Sequence, residues 1–97
     1  MQIDFGNIGS SLGTRALGQE LRLEIEKSLK SGGFIVFNFE GVQLISHSFA
    51  DECFGKLLLS LDFNNIKSNS TFKNTNDLVK KTISFTLKER MSTLAEA

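Results

Sequence analysis

The segment FIVFNF, residues 34–39, constrains the fold of this chain more than any other stretch. Apart from Asn38 it is continuous β-branched and aromatic side chain, bracketed by Gly32 and Gly33 on one side and Gly41 on the other. A run of this length and content is too short for a helix. It reads as a fully buried strand at the centre of a sheet, parallel to its neighbours. Parallel neighbours need long crossover connections, usually helical.

The flanking sequence supplies those connections. Over residues 14–31, Leu17, Leu21, Ile25 and Leu29 recur every fourth residue, with Glu20, Glu24, Lys27 and Lys30 on the other faces, which predicts an amphipathic helix. Ser11 or Thr14 offers a hydroxyl to cap it, and Gly32 and Gly33 end it. After residue 48 a broad stripe of Phe49 or Ala50, Cys53, Phe54, Leu57, Leu58 and Leu61 predicts a second helix opposite Asp51, Glu52 and Lys56. Val79, Ile83 and Leu87 predict a third over residues 76–91, started by Asn76, with Lys80, Lys81, Lys88 and Arg90 as a basic outer face. The tail from about residue 92 has little to bury and is expected to fray.

Two weaker strands complete the pattern. Met1, Ile3 and Phe5 alternate with Gln2 and Asp4, and residues 66–72 alternate loosely with one Thr, as a partly exposed strand does. Residues 6–13, GNIGSSLG, read as loop. The resulting order βαβαβα gives an α/β layered fold, a central and mostly parallel sheet with helices packed on it, in one domain spanning residues 1–97.

Composition narrows the function. The chain has nine Phe and no Trp, Tyr or Pro, so phenylalanine must supply the bulky core. Eleven basic and eleven acidic residues cancel, which gives no reason to expect nucleic-acid binding. Residues 63–97 nonetheless carry six Lys and Arg against three Asp and Glu. One Cys and one His supply no zinc set, no internal disulfide and no nucleophilic constellation. No cofactor is expected. Without an apolar leader or a run near 18 residues, a cytoplasmic, membrane-free protein is the expectation.

The turn before the second helix carries the chemistry. Ser48 stands before the apolar stripe with Asp51 three residues on, close to a capping box, so Ser48 is read as the N-cap, worth about 0.5–2 kcal/mol. The same position at a helix start tolerates a phosphate. With Asp51 and Glu52 in the first turn, such a charge would change the local field sharply, as suits a switch for partner docking. His47 is read as a polar or pH-sensitive surface residue, Cys53 as core packing, and Asp51 with Glu52 as a solvated or partner-facing pair. Arg15 opposes the dipole at the first helix start and is available to a carboxylate or phosphate.

These residues carry a resemblance. VFNFEGVQLISHS, residues 36–48, resembles the strand leading to the phosphoacceptor turn of STAS domains, the anti-sigma-factor antagonist fold. Ser48 falls on the phosphoacceptor position, while Ser46, His47 and Phe49 replace the Asp, Ser and Gly of that pattern. LGTRALG (residues 12–18), FEGVQLISHSFADECFGKL (residues 39–57) and LKER (residues 87–90) resemble more closely a STAS-like family of unknown function. The resemblance implies a non-enzymatic regulatory module that binds a protein partner, a histidine-kinase-like ATPase, in a signalling pathway. The binding surface it implies is Ser46, His47, Phe49, Asp51 and Glu52 with Arg15, controlled by phosphorylation at Ser48. Two other readings stand beside it: a small hydrolase using His47 with Ser46 or Ser48, and a DNA-associated regulator using the basic third helix.

Overall fold

The computed structural model describes residues 1–96. In chain order the elements are β1 (Gln2–Asp4), β2 (Ser11–Leu12), α1 (Arg15–Lys30), β3 (Ile35–Asn38), β4 (Leu44–Ile45), α2 (His47–Cys53), α3 (Phe63–Ser68), β5 (Ser70–Lys73) and α4 (Asp77–Glu96). Two 3₁₀ turns, Phe5–Asn7 and Gly55–Leu59, fill in after β1 and α2. The architecture is the mixed α/β fold expected, with β3 at the centre of a three-stranded sheet of order β1-β3-β5 and both pairings parallel.

Register explains which side chains make the core. Ile3, Phe37 and Phe72 form one cross-strand row, and Asp4, Asn38 and Lys73 form the next on the opposite face. The first face carries the helices. There Phe5 stacks on Phe39 with ring centroids 4.3 Å apart, and Phe37 meets Phe54 edge-on at 5.2 Å. Five of the nine phenylalanines are fully buried in this cluster, which also takes in Leu21, Ile25 and Leu29 of α1 and Val79 and Ile83 of α4.

The second face is open, which corrects the reading of residues 34–39 as buried on both sides. Phe34 and Val36 are not buried, and Gln2, Asp4, Thr71 and Lys73 are exposed. Asn38, although in the middle of the apolar run, is satisfied on this face. Its amide donates to Asp4 Oδ1 at 2.9 Å, and its carbonyl oxygen accepts from the side chain of Asn74 at 2.9 Å. A polar ladder therefore takes the place of a second helical layer.

Three other boundaries differ from expectation. Residues 6–13 contain β2, which pairs in parallel with β4 in a separate small sheet. Residues 63–68 form α3, so the strand expected over residues 66–72 begins only at Ser70; Asp62 caps the helix by accepting from the Asn65 N–H at 2.7 Å, and only Ile66 of it is buried, so no apolar stripe announced it. The second helix is short, since Gly55 hands α2 over to a 3₁₀ turn. At the two ends of α1 the expectation holds: Thr14 accepts from the Leu17 N–H at 3.3 Å, and Gly32 takes the left-handed φ of 82° that glycine adopts at low cost. Asn76 accepts from the Val79 N–H at 2.8 Å and starts α4, which continues through Glu96.

Candidate functional site

The pairing of β2 with β4 decides the geometry at the start of α2. With Leu12 opposite Ile45, the chain at Gly13 and Thr14 lies beside Ser46. The Ser46 N–H donates to the Leu12 carbonyl at 2.9 Å, and its hydroxyl donates to the Gly13 carbonyl at 2.8 Å. The same hydroxyl oxygen accepts from the Phe49 N–H at 2.9 Å. Ser46, in extended conformation, is therefore the N-cap of α2. This corrects the assignment of Ser48.

Ser48 is the second residue of the helix, half-buried, and its hydroxyl has no hydrogen-bond partner among the described residues. Asp51 is consequently the fifth residue of the helix rather than its third, too far along to close a capping box. Its carboxylate turns to the C-terminal helix instead. Arg90 grips it with two parallel bonds, Nε to Oδ1 and Nη2 to Oδ2, both 2.8 Å. A side chain at position 55 would intrude here: a Cβ on Gly55 would come within 2.6 Å of Asp51 Oδ1 and 3.1 Å of Arg90 Cγ.

Glu52 is bound just as fully from the other side. Lys56 Nζ lies 2.7 Å from Oε1, and Arg22 Nη1 lies 2.6 Å from Oε2 and 2.7 Å from the backbone carbonyl of the same residue. Arg15 spans both acids at longer range, 3.3 Å from Asp51 and 3.4 Å from Glu52, with half its side chain exposed. Asp51 and Glu52 are only 9% and 7% exposed, so the pair expected to be solvated or partner-facing is instead largely covered by its own cation partners in a part-buried knot. The bond from Arg90 holds the Asp51 carboxyl below its ordinary value, and the bond from Lys56 does the same for Glu52. The pairing with Asp51 in turn raises the Arg90 pKa.

Two carboxylates thus meet four cations, Arg15, Arg22, Lys56 and Arg90. Glu26 also pairs with Arg22, at 3.5 Å, so the two acids of α2 are matched by cations within a wider ion-pair network rather than left as the acidic patch that sequence spacing alone suggests. Arg15, the most exposed of the four and the one with the longest contacts, is the cation most able to change partner. Close approach of α1 makes these contacts possible. A Cβ on Gly18 would lie 2.8 Å from Glu52 Cβ and 3.0 Å from the Phe49 carbonyl, so no larger residue lets the two helices meet this way.

The remaining candidates separate cleanly. Phe49 is fully buried and belongs to the core rather than to a surface. Cys53 is fully buried, and burial pushes its thiol pKa far upward, as core packing requires. His47 is exposed, its ring 5.5 Å from that of Phe85 and its Nε2 3.6 Å from Glu89. Of the residues expected to form a basic face, Lys80, Lys81 and Lys88 are exposed, but Arg90 points inward. Sequence reading missed Arg22, which looked like one more polar residue of α1, and Phe85, an aromatic off the buried stripe; only the i,i+4 relation of Arg22 to Glu26 hinted at an ion-pair role.

The three sequence segments of LGTRALG, SFADE and LKER thus converge: Arg15 and Gly18 from the first and Arg90 from the last all pack on Asp51 and Glu52. Compared with known families, residues 18–80 match the STAS-like domain of unknown function (DUF4325). The chain belongs to this family. No curated protein and no solved structure matches it. The matched span of the STAS-like domain includes β3, the Ser46 turn, all of α2 and the Asp51–Glu52 pair, while Arg15 and Arg90 lie on either side of it. Among the described residues no helix is long and apolar enough to cross a membrane.

Proposed function

We propose that this STAS-like domain is a regulatory module that docks on a protein partner, a histidine-kinase-like ATPase, at the start of α2, and that phosphorylation of Ser48 switches the docking. The observation that carries the reading is the division of labour between two serines. Ser46 holds the helix, so the partly exposed Ser48 hydroxyl has no structural duty. Ser48 precedes Asp51 and Glu52 by three and four residues and shares their helix face. A phosphate there carries about −1.5 to −2 charges and draws on the half-exposed Arg15 guanidinium, loosening its long contacts to the two acids. In the transfer, the Ser48 oxygen bonds to the γ-phosphorus of ATP, the bond to ADP breaks, and the hydroxyl proton leaves to a base of the kinase.

The docking surface consists of the exposed members of the site, His47 and Arg15, together with the partly exposed Ser48. Phe85 adds an aromatic side chain, more than half exposed against the His47 ring, of the kind that anchors interfaces. Asp51 and Glu52 act from behind, by setting where Arg15 rests. Incubation with an ATPase of this type encoded beside the domain, with ATP, should add one phosphoryl group at Ser48 and none to a Ser48→Ala variant. Absence of that mass shift, together with unchanged partner affinity for Ser48→Asp, would remove the switch; absence of any binding by the unmodified protein would remove the docking role as well.

A further inference from the structure

The sheet ends at β5, and three features of that edge describe one occupant. The first is unpaired backbone. β5 pairs with β3 alone, and the N–H groups of Ile35 and Phe39 donate to the carbonyls of Asn69 and Lys73 at 3.0 and 2.9 Å. Alternate residues thus face β3, which leaves Ser70 and Phe72 directing their N–H and C=O groups outward. Neither N–H finds a backbone acceptor among the described residues. Such groups are met by another extended backbone.

The second feature is an apolar hollow beside the edge. A cavity of about 260 Å³ opens between α3 and α4 on the helix-bearing face, walled by Phe54, Leu57, Phe63, Ile66, Phe72 and Leu87. A second of about 270 Å³ continues past Phe72 and Leu87 toward Ile83. A strand laid along β5 turns every second side chain onto this face. The third feature is charge. Lys67 lies at the first hollow, Lys80 at the second and Lys73 on β5 itself, and none of them makes an ion pair among the described residues. A second copy of this edge would bring like charges together, whereas carboxylates would be neutralised.

We propose that the β5 edge is a docking site for an extended acidic segment of a partner protein, which adds as a strand, seats an aromatic or aliphatic side chain between Phe63 and Phe72, and sets carboxylates against Lys67 and Lys80. The site is separate from the α2 surface and does not depend on its function. The test is an NMR titration of the ¹⁵N-labelled full chain with peptides of the form DEVXVED, with Phe, Leu or Ile at X, beside the same peptides N-methylated at alternate backbone nitrogens. Binding should shift the Ser70 and Phe72 amides and slow their hydrogen exchange. It should weaken at least tenfold in a Lys67→Glu, Lys80→Glu variant whose spectrum shows an intact fold, and vanish on N-methylation. Equal binding by the N-methylated peptides, shifts confined to the α2 start, or no binding by any of the set would each overturn the proposal. So would occupation of the cavity by myristate with the Ser70 and Phe72 amides unmoved by every peptide.

Discussion

At the residue scale, two serines separated by one histidine hold different positions, and the difference is measurable. Ser46 is committed as donor to Gly13 and as acceptor from Phe49, so Ser46→Ala should cost about 1 kcal/mol. Ser48→Ala removes a hydroxyl with no hydrogen-bond partner among the described residues and should leave the unfolding free energy within about 0.5 kcal/mol of the parent. Chemical denaturation of both variants checks the assignment, and the reverse order of effects would return the cap to Ser48. The sequence pointed to a serine cap at this turn but chose the wrong serine. The S-x-x-D spacing from Ser48 is a local signal, whereas the identity of the cap is set by β2 pairing with β4, a contact between residues more than thirty apart. Gly18 was equally silent, since its need for a missing Cβ appears only once α1 lies against α2.

At the scale of elements, Asp51 and Glu52 tie α2 to α1 through Arg15 and Arg22 and to α4 through Arg90. The acid dependence follows from the direction of the shifts. Asp51 has a folded pKa below its ordinary value of 3.8, so the folded protein binds fewer protons than the unfolded chain in that range. The stability it contributes is complete above that ordinary value and is lost as pH falls through the lowered one. Urea unfolding followed from neutral pH downward should therefore show a steep loss on entering the carboxylate range. In an Asp51→Asn variant the loss should be shallower, with a neutral-pH penalty of about 1.5–3 kcal/mol for the weakened bond to Arg90. An unchanged acid profile would mean that the clamp does not hold the helices. Helices with a fourth-residue apolar stripe were legible, α1 and α4 above all, as was the central strand. The polar α3 was not, because it rests on the Asp62 cap and a single buried Ile66. Nor was the open face behind β3, where the polar ladder through Asn38 does what a second helical layer would do.

For the whole molecule, helices crowd one face of a small parallel sheet and leave accessible the α2 start, the bare sheet face and the β5 edge. The family was legible from residues 39–57, where apolar strand, turn and short helix follow one another. What that sequence concealed is the electrostatic character of the site. Asp51 and Glu52 look like an acidic patch, yet four cations from α1, α4 and the residues after α2 pair with them, with Arg15 the most exposed of the four. On the function proposed above, a Ser48 phosphate acts through the half-exposed Arg15, and its effect falls on docking rather than on folding. The most direct test is a calorimetric titration of the histidine-kinase-like ATPase with this domain carrying phosphoserine at position 48, beside the unmodified protein. The account predicts at least a tenfold change in affinity with an unchanged urea midpoint; equal affinities for the two forms would contradict it.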